Sequence, residues 1–283
     1  MRPIVRRALD TTFSVAADHP DLERAARAIV GCCPESQGAL EVVWELDAAH
    51  LRAFRDGELL MEGLSSIGEI AAVFERDLYD VVVARAETSF MLHGAALANE
   101  ESAVLLFGPS GAGKTTMSRA LVARGARYIT DEFAAVDPEG RVRGLPRALG
   151  LLPAAPPLDP ATQTLQGTAD AYDFVGRNGE LVHNDFFALA PEHLRHVPIA
   201  VGAVVQLQHD PNGTPGITDL RAADILPAMW DERHRGGEGE LEIAIALLKR
   251  VPAFRLVTSS VERACTDLAS VWPIQSPRRS APR

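Results

Sequence analysis

The residues best suited to chemistry form a glycine-rich stretch at 108–115, with the sequence GPSGAGKT. It matches the phosphate-binding pattern G-x-x-x-x-G-K-[ST] at every fixed position. The glycines let the backbone curl until several N–H groups point at one anion, and a helix start adds its positive end. The stretch therefore predicts a nucleotide-phosphate site rather than a chance glycine-rich turn. The expected binding residues are Gly108, Pro109, Ser110, Gly111, Ala112, Gly113, Lys114, Thr115 and Thr116.

Two side chains in this stretch have defined roles in the pattern. Lys114 is expected to reach the β- and γ-phosphates, and the hydroxyl of Thr115 is expected to bind Mg²⁺. The predicted cofactors are therefore ATP and Mg²⁺.

An acid pair, Asp131 and Glu132, ends an apolar run one helix and one short strand after Lys114. One acid is expected to hold the metal, directly or through water, while the other accepts a proton from an incoming hydroxyl. The alternative is two solvated acids at the end of a strand. The sequence contains no LSGGQ-like signature or arginine-rich motor motif, which argues against transport ATPases and helicases. The candidate metal ligands are Thr115, Asp131 and Glu132.

The elements that must position these residues follow from hydrophobic pattern and turn signals. A strand at 103–107 should lead into the loop, and a helix at 114–124 should follow it and stop at Gly125. A strand over 126–136 is predicted to carry the acids. A further strand at 88–99 carries His93 and Gly94.

The N-terminal part is predicted to be β-rich with two helices and shows no evident chemistry. The hairpin signal Asp56-Gly57 divides the second of its strands, and Ser66 with Glu69 fits a capping box. The predicted helices span 17–33 and 67–86, and the predicted strands span 40–47 and 51–63.

The segment 153–185 is rich in Pro, Gly, Asp and Asn, so it is predicted to be a long loop, either a lid or disordered. Its candidate contacts are Arg177, Asn178, His183 and Asn184. Strands at 201–210 and 251–260 and helices at 221–230 and 239–250 should follow. The basic cluster Arg233, His234 and Arg235 is better explained as a solvated loop than as a phosphate site.

Composition limits the class of protein. The chain has 283 residues, 47% of them hydrophobic, and a formal net charge of −10, which argues against nucleic acid as a partner. Its three cysteines, Cys32, Cys33 and Cys265, are expected to be buried thiols in a reducing compartment rather than metal or redox groups. No apolar run is long enough for a membrane span, and the first residues lack the apolar core of a signal peptide. A cytoplasmic protein without a membrane partner is predicted.

Three motifs together resemble a known family. They are HG at 93–94, LLFGPSGAGKTT at 105–116 and LVARGARYITDE at 121–132. In this order they resemble the C-terminal kinase domain of HPr kinase/phosphorylase, and still more the bacterial HPr-kinase-related proteins found beside peptide-modifying and other biosynthetic genes. The resemblance covers roughly 88–272.

The resemblance implies an α/β, phosphoenolpyruvate-carboxykinase-like P-loop fold with a mixed central sheet and a small N-terminal α+β segment. The expected domains are 1–86, 87–272 and a disordered tail at 273–283. The expected partners are a nucleoside triphosphate and an acceptor that bears a hydroxyl, either a peptide or protein serine or a small metabolite. HPr kinases are hexamers, so a homo-oligomer is left open.

The resemblance also implies roles for three further residues. His93 would orient the acid or contact the transferred phosphate, whereas without the resemblance a hydrogen-bonded core histidine is the simpler interpretation. Arg147 and Arg255 are candidates for stabilising transition-state charge, the alternative being ordinary surface ion pairs.

The sequence departs from the family pattern in two informative places. HPr kinase carries two aspartates where this chain has Asp131 and Glu132. The signature near the HPr interface is not recognisable, so HPr is a poor substrate candidate. Reversal by inorganic phosphate stays open, and so does a nucleotide-binding regulatory or chaperone-like protein without kinase activity.

Overall fold

The computed structural model of the chain describes residues 3–86, 89–151, 165, 167–175, 181–210, 212–234 and 239–274. These residues form an α/β protein with sixteen strands and six α-helices. They belong to two compact units. The first contains the described residues of Met1–Glu87, Leu145–Pro156 and Gln166–Pro191, and the second contains those of Thr88–Gly144, Pro157–Leu165 and Glu192–Arg283.

The first unit contains a five-stranded sheet and two helices, α1 (Pro20–Ile29) and α2 (Ile67–Ala84). Its strands lie in the order β1 (Ile4–Ala8), β2 (Thr11–Ala17), β3 (Val42–Asp47), β4 (Arg52–Arg55) and β5 (Glu58–Met61). The predicted hairpin between β4 and β5 is confirmed. Asp56 and Gly57 have φ values of 52° and 80°, and a two-residue turn that matches the strand twist needs both positive.

The predicted start of α2 is confirmed by its cap. The Ser66 hydroxyl accepts a hydrogen bond from the Glu69 amide at 3.2 Å, and the Glu69 carboxylate accepts one from the Ser65 amide at 2.6 Å. The first bond satisfies an amide that the first turn of a helix leaves without a partner, and the second holds the amide of the residue just before the cap.

The prediction of a long loop over 153–185 is wrong where the structure describes that segment. β11 (Leu149–Leu151), β12 (Gly167–Val175) and β13 (Leu181–Leu189) form an antiparallel sheet in the order β11-β13-β12, and β12 contacts α1 and α2. Tyr172 and Phe186 stack across it with centroids 5.3 Å apart. Packing against helices outweighs the turn-forming composition. Arg177, Asn178 and the Asn184 side chain lie outside the described residues.

The second unit is built on a mixed sheet. Its order is β10 (Arg141–Gly144), β9 (Phe133–Val136), β6 (Phe90–Ala98), β7 (Ala103–Phe107), β14 (Ile199–His209), β16 (Ala253–Thr258) and β15 (Gly216–Leu220). β8 (Arg127–Thr130) also pairs with β6. β7, β14 and β16 are parallel, whereas β6 and β15 run antiparallel to their neighbours.

Helices cover both faces of this sheet. All five residues of β7 are buried. Leu105 and Phe107 pack in one cluster with residues of α4 (Ala222–Asp231) and α5 (Glu240–Arg250). Side chains alternate along a strand, so Val104 and Leu106 face the opposite layer. There α3 (Lys114–Ala123) and α6 (Val261–Ala269) pack together and contact β6 and β16, respectively.

The predicted elements of this unit are confirmed with shifted ends, except for the strand over 126–136. The described parts of Leu145–Pro156 and Gln166–Pro191 pack in the first unit, a division that the predicted boundary at 86/87 did not anticipate. Most of the predicted tail, 275–283, lies outside the described residues. None of the described helices combines the length and apolarity needed to cross a bilayer.

Candidate active site

The glycine-rich stretch forms the connection between β7 and α3, as predicted. Gly108, Gly111 and Gly113 have φ values of 151°, 82° and 97°, a region that side chains disfavour. A Cβ on Gly108 would lie 2.5 Å from the carbonyl oxygen of Leu207. Glycine is therefore required at the first position both by conformation and by the close approach of β14.

The side chain of Lys114 folds back over this loop. Its Nζ donates to the carbonyl oxygen of Gly108 at 2.7 Å. Burial lowers the pKa of Lys114, and the charges of Glu232, Glu132 and Asp131 oppose that shift. The lysine thus sits among three carboxylates that favour its charged form, the form that can neutralise phosphate oxygens.

Asp131 lies next to the loop, at the end of β8. It is 1% exposed, and its two carboxylate oxygens accept hydrogen bonds from Thr115 Oγ1 at 2.8 Å and from the Tyr128 hydroxyl at 2.7 Å. The structure therefore brings together the predicted metal ligands Thr115 and Asp131. A hydroxyl beside a carboxylate fits Mg²⁺, which binds oxygen ligands and usually takes one or two carboxylates together with phosphate oxygens and water. Within the described ranges, no three His, Cys, Asp or Glu side chains converge as a metal site by themselves.

The strand predicted over 126–136 is interrupted at the acid pair, so the prediction of one continuous strand is wrong. β8 ends at Thr130 and β9 begins at Phe133. The buried Thr130 hydroxyl accepts hydrogen bonds from the amides of Glu132 and Phe133, both at 3.2 Å. Such a side-chain bond competes with the ladder of a sheet. It turns the chain here, and Glu132 and Asp131 consequently face different partners.

His93 lies between two carboxylates, on the part of β6 that borders this break. Its Nε2 is 3.6 Å from Glu132 Oε1, and its Nδ1 is 3.4 Å from Glu232 Oε2. The imidazole is 34% exposed. The structure thus places His93 beside one predicted acid, Glu132, and beside Glu232, which the sequence did not single out.

Gly94 explains why a glycine follows the histidine. A Cβ there would lie 2.7 Å from the carbonyl oxygen of Leu106 on β7. The Gly94 amide donates to the carbonyl oxygen of Glu132 at 3.0 Å. The glycine therefore allows β7 to approach closely while its amide holds the main chain of the acid pair.

A cavity of about 260 Å³ opens beside His93 and Glu132. Its other lining residues are Phe133, Asp231, Glu232, Arg233 and His234. Asp231 and Glu232 were missed in the sequence. The available signal was their position at the C-terminal end of a predicted helix, where the helix dipole disfavours carboxylates.

The structure describes the first two residues of the basic cluster 233–235. The guanidinium of Arg233 lies 4.3 Å from the Trp230 ring centroid, and the His234 ring lies 4.6 Å from the Phe133 ring. The prediction of a simple solvated loop is therefore wrong for these two residues, whose side chains pack on aromatic rings. Arg235 lies outside the described residues.

The two candidate arginines have partners of their own. Arg255, on β16, donates from Nε to Gln206 Oε1 at 3.3 Å and is exposed. Arg147 belongs to the first unit, where Nη1 lies 3.5 Å from both the Tyr79 hydroxyl and Glu75 Oε1. A catalytic role for either arginine stays a prediction.

All three cysteines are buried and none forms a disulfide. Burial and the neighbouring Cys32 raise the pKa of Cys33, so its reactive thiolate is disfavoured.

No protein-family model matches the chain, and no curated protein matches its sequence. Among solved structures, the HPr(Ser) kinase/phosphatase from Coxiella burnetii is similar to this chain with a TM-score of 0.31 and 10% identity. That similarity covers 64% of this chain and 87% of the other.

Proposed function

We propose that the chain is an ATP-dependent, Mg²⁺-assisted kinase that phosphorylates a hydroxyl group of a peptide, a protein or a small metabolite. The observation that best supports this proposal is that two adjacent acids, Asp131 and Glu132, have different surroundings. Asp131 accepts hydrogen bonds from Thr115 and Tyr128, whereas Glu132 faces His93 and the neighbouring cavity. The second unit, which contains most of the described part of 87–272, is proposed to be the kinase domain, of the HPr-kinase-like class to which its motifs point.

The donor side is assigned to the loop. When bound, ATP supplies the phosphoryl group and Mg²⁺ supplies positive charge beside it. The loop amides and Lys114 would contact the phosphate oxygens, and Thr115 with Asp131 would hold the metal. Phosphoryl transfer depends mainly on such positioning and charge neutralisation.

The acceptor side is assigned to Glu132. An acceptor hydroxyl in the cavity would lose its proton to Glu132 as its oxygen forms the bond to phosphorus and the bond to the ADP oxygen breaks. The products are the phosphorylated acceptor, ADP and a protonated Glu132, which returns its proton to water. A carboxylate base fits this position because the cavity opens beside it.

The test uses the full chain with γ-labelled ATP and two acceptor panels, serine-containing peptides and hydroxylated metabolites. Equilibrium binding of Mg·ATP is measured in parallel. Glu132→Gln should bind nucleotide like the wild type but transfer phosphate about 100-fold or more slowly. Asp131→Asn should weaken both properties.

The matched control is Glu100→Gln, an equal charge change in the exposed turn after β6, at the strand end away from His93. It should behave as wild type. Unchanged transfer in both Asp131→Asn and Glu132→Gln would refute the assignment of the acids. Tight Mg·ATP binding by the wild type without transfer to either panel would favour the regulatory, non-catalytic alternative.

A further inference from the structure

We propose that Glu232 is a positioning residue that orients the ring of His93 so that Nε2 faces Glu132. The proposal deepens the kinase function above and rests on it for its catalytic consequence, because Glu132 is the proposed base. Glu232 lies far from the acid pair in sequence, directly after α4.

The main chain places Glu232 next to the histidine. The His93 amide donates to the carbonyl oxygen of Glu232 at 2.8 Å, and the His234 amide donates to that of Met91 at 2.9 Å. These bonds attach the segment after α4 to β6. The Glu232 carboxylate thereby comes within 3.4 Å of Nδ1 of His93. The amide of the same histidine bonds to the Glu232 carbonyl.

On the opposite side of the ring, Glu132 is anchored through the next amide along β6. Gly94 donates to the carbonyl oxygen of Glu132 at 3.0 Å, and Glu132 Oε1 lies 3.6 Å from Nε2. Two successive amides of β6 therefore anchor two acids on either side of one imidazole. The distances exceed ordinary hydrogen bonds, as catalytic contacts often do before substrate binds.

When the imidazole is neutral, this arrangement favours one of its two tautomers. A proton on Nδ1 is directed at Glu232, the nearer carboxylate, and the lone pair of Nε2 then faces Glu132. That lone pair repels an ionised Glu132 but accepts a hydrogen bond once Glu132 has taken the proton of the acceptor. The interaction strengthens during the reaction, and only such interactions accelerate it.

The charge of Glu232 also acts on Lys114, and this offers a competing explanation for the effect of replacing Glu232. Among the acids near Lys114, Glu232 contributes most to keeping that lysine charged. If its role were the negative charge, removing the charge alone would reproduce the full effect. If its role is to accept a hydrogen bond from Nδ1, glutamine, whose side-chain oxygen also accepts, should replace it.

The kinetic test compares Glu232→Ala and Glu232→Gln with the control Glu100→Ala in the full chain. Loss of a partner that orients a metal-bound histidine typically costs about 10- to 100-fold in activity, and we expect the same range for the partner of His93. Glu232→Ala should lose that much kcat without a rise in KM for ATP. Glu232→Gln should recover most of the loss, and Glu100→Ala should show none. Equal losses in the Ala and Gln variants, or no loss in either, would overturn the proposal.

A second readout does not depend on turnover. The ring ¹⁵N shifts of His93 are measured in the histidine-labelled full chain and assigned by their absence in His93→Gln. The wild type and Glu232→Gln should show the Nδ1–H tautomer, and Glu232→Ala should shift toward Nε2–H. The same tautomer in all three proteins contradicts the proposal, even if Glu232→Ala lowers activity by misfolding. If the tautomer responds but the wild type phosphorylates nothing, the kinase function fails and the positioning role stands.

Discussion

Thr115 and Asp131 show at the scale of single residues how the site combines two parts of the chain. The 2.8 Å bond between their side chains joins the first turn of α3 to the end of β8. Asp131 is buried, and its second oxygen accepts from Tyr128, so its carboxylate is held from two directions. If the two residues bind the metal as proposed, a pair held in this way would need little reorganisation when the cation binds.

Replacing Thr115 tests this pair. Thr115→Val keeps the shape of the side chain but removes the hydroxyl, and we expect the Mg²⁺ concentration for half-maximal transfer to rise about tenfold, as for loss of one oriented ligand. Thr115→Ser keeps the hydroxyl and should stay close to wild type. Magnesium titrations at saturating ATP measure the difference. Equal Mg²⁺ requirements in the Val and Ser variants would contradict the assignment.

The interruption between β8 and β9 is the element that separates the surroundings, and with them the proposed roles, of the two acids. It depends on Thr130, whose hydroxyl accepts from two consecutive amides. The residue is fully buried. A Cβ on Gly144 of β10 would lie 2.6 Å from its Cβ, so the neighbouring strand packs closely on it.

Thr130→Val should release the two amides while preserving volume. We expect a loss of about 1–3 kcal/mol in the free energy of unfolding, because buried amides lose their partner. We also expect slower phosphoryl transfer with unchanged Mg·ATP binding, because the loop is untouched while Glu132 moves. Urea unfolding and single-turnover kinetics measure both. Thr130→Ser retains the acceptor and is the matched control; if it transfers phosphate as slowly as Thr130→Val, the hydroxyl is not the cause.

The β12–β13 hairpin contains a pH-dependent contact. His183 Nδ1 bonds to Asp173, and its Nε2 lies 3.0 Å from Asp185 Oδ1. The hydrogen bond to Asp173 and the charge of Asp185 raise the pKa of His183 above its usual 6.5. A raised pKa means that the charged histidine stabilises the folded hairpin. That contribution is complete below pH 6.5 and is lost as the pH rises through the folded-state pKa.

We therefore expect the amides of β12 and β13 to exchange faster as the pH rises through the folded-state pKa of His183, after correction for intrinsic exchange. Hydrogen exchange measures this by strand, and His183→Gln should abolish the pH-dependent part. Persistence of the same pH dependence in His183→Gln would assign it to other groups.

Much of the element pattern was predictable because it is local. The strand at 103–107, the loop and the helix after it follow from an apolar run, glycines and helix formers that adjoin in sequence. The interruption at Thr130 was not predictable, because a threonine hydroxyl can bond outward or back to its own chain. The hairpin at 167–189 was missed because packing against α1 and α2 decides it. Glu232 was missed because only the pairing of residues 232–234 with β6 brings it to His93.

At the scale of the whole molecule, the first unit is assembled from distant stretches of the chain. Glu75 on α2 accepts a hydrogen bond from Tyr79 at 2.5 Å and one from Tyr172 on β12 at 2.7 Å. Arg147 lies 3.5 Å from the same carboxylate. Burial, and then the charge of Glu75, raise the pKa of Tyr79 well above its usual value, so the phenol stays a hydrogen-bond donor.

Removing this carboxylate should destabilise the first unit. Glu75→Ala leaves Arg147 and two phenols without their shared acceptor, and we expect a loss of about 3–5 kcal/mol. Glu75→Gln keeps one acceptor oxygen and should lose less. Urea unfolding can be followed through Trp44 of the first unit, with Trp230 and Trp272 replaced by phenylalanine. Equal destabilisation by both variants would show that charge alone, rather than hydrogen bonding, holds the cluster.

The amides of His93 and Gly94 bond to main-chain carbonyls at positions 232 and 132, not to side chains. Main-chain anchors do not depend on which side chain is attached. The strand would therefore keep both positions in place while their side chains are exchanged. A combinatorial library that varies the side chains at 132 and 232 should therefore keep the main chain in place. Variants that phosphorylate other hydroxyl acceptors could be selected from it without changing the fold.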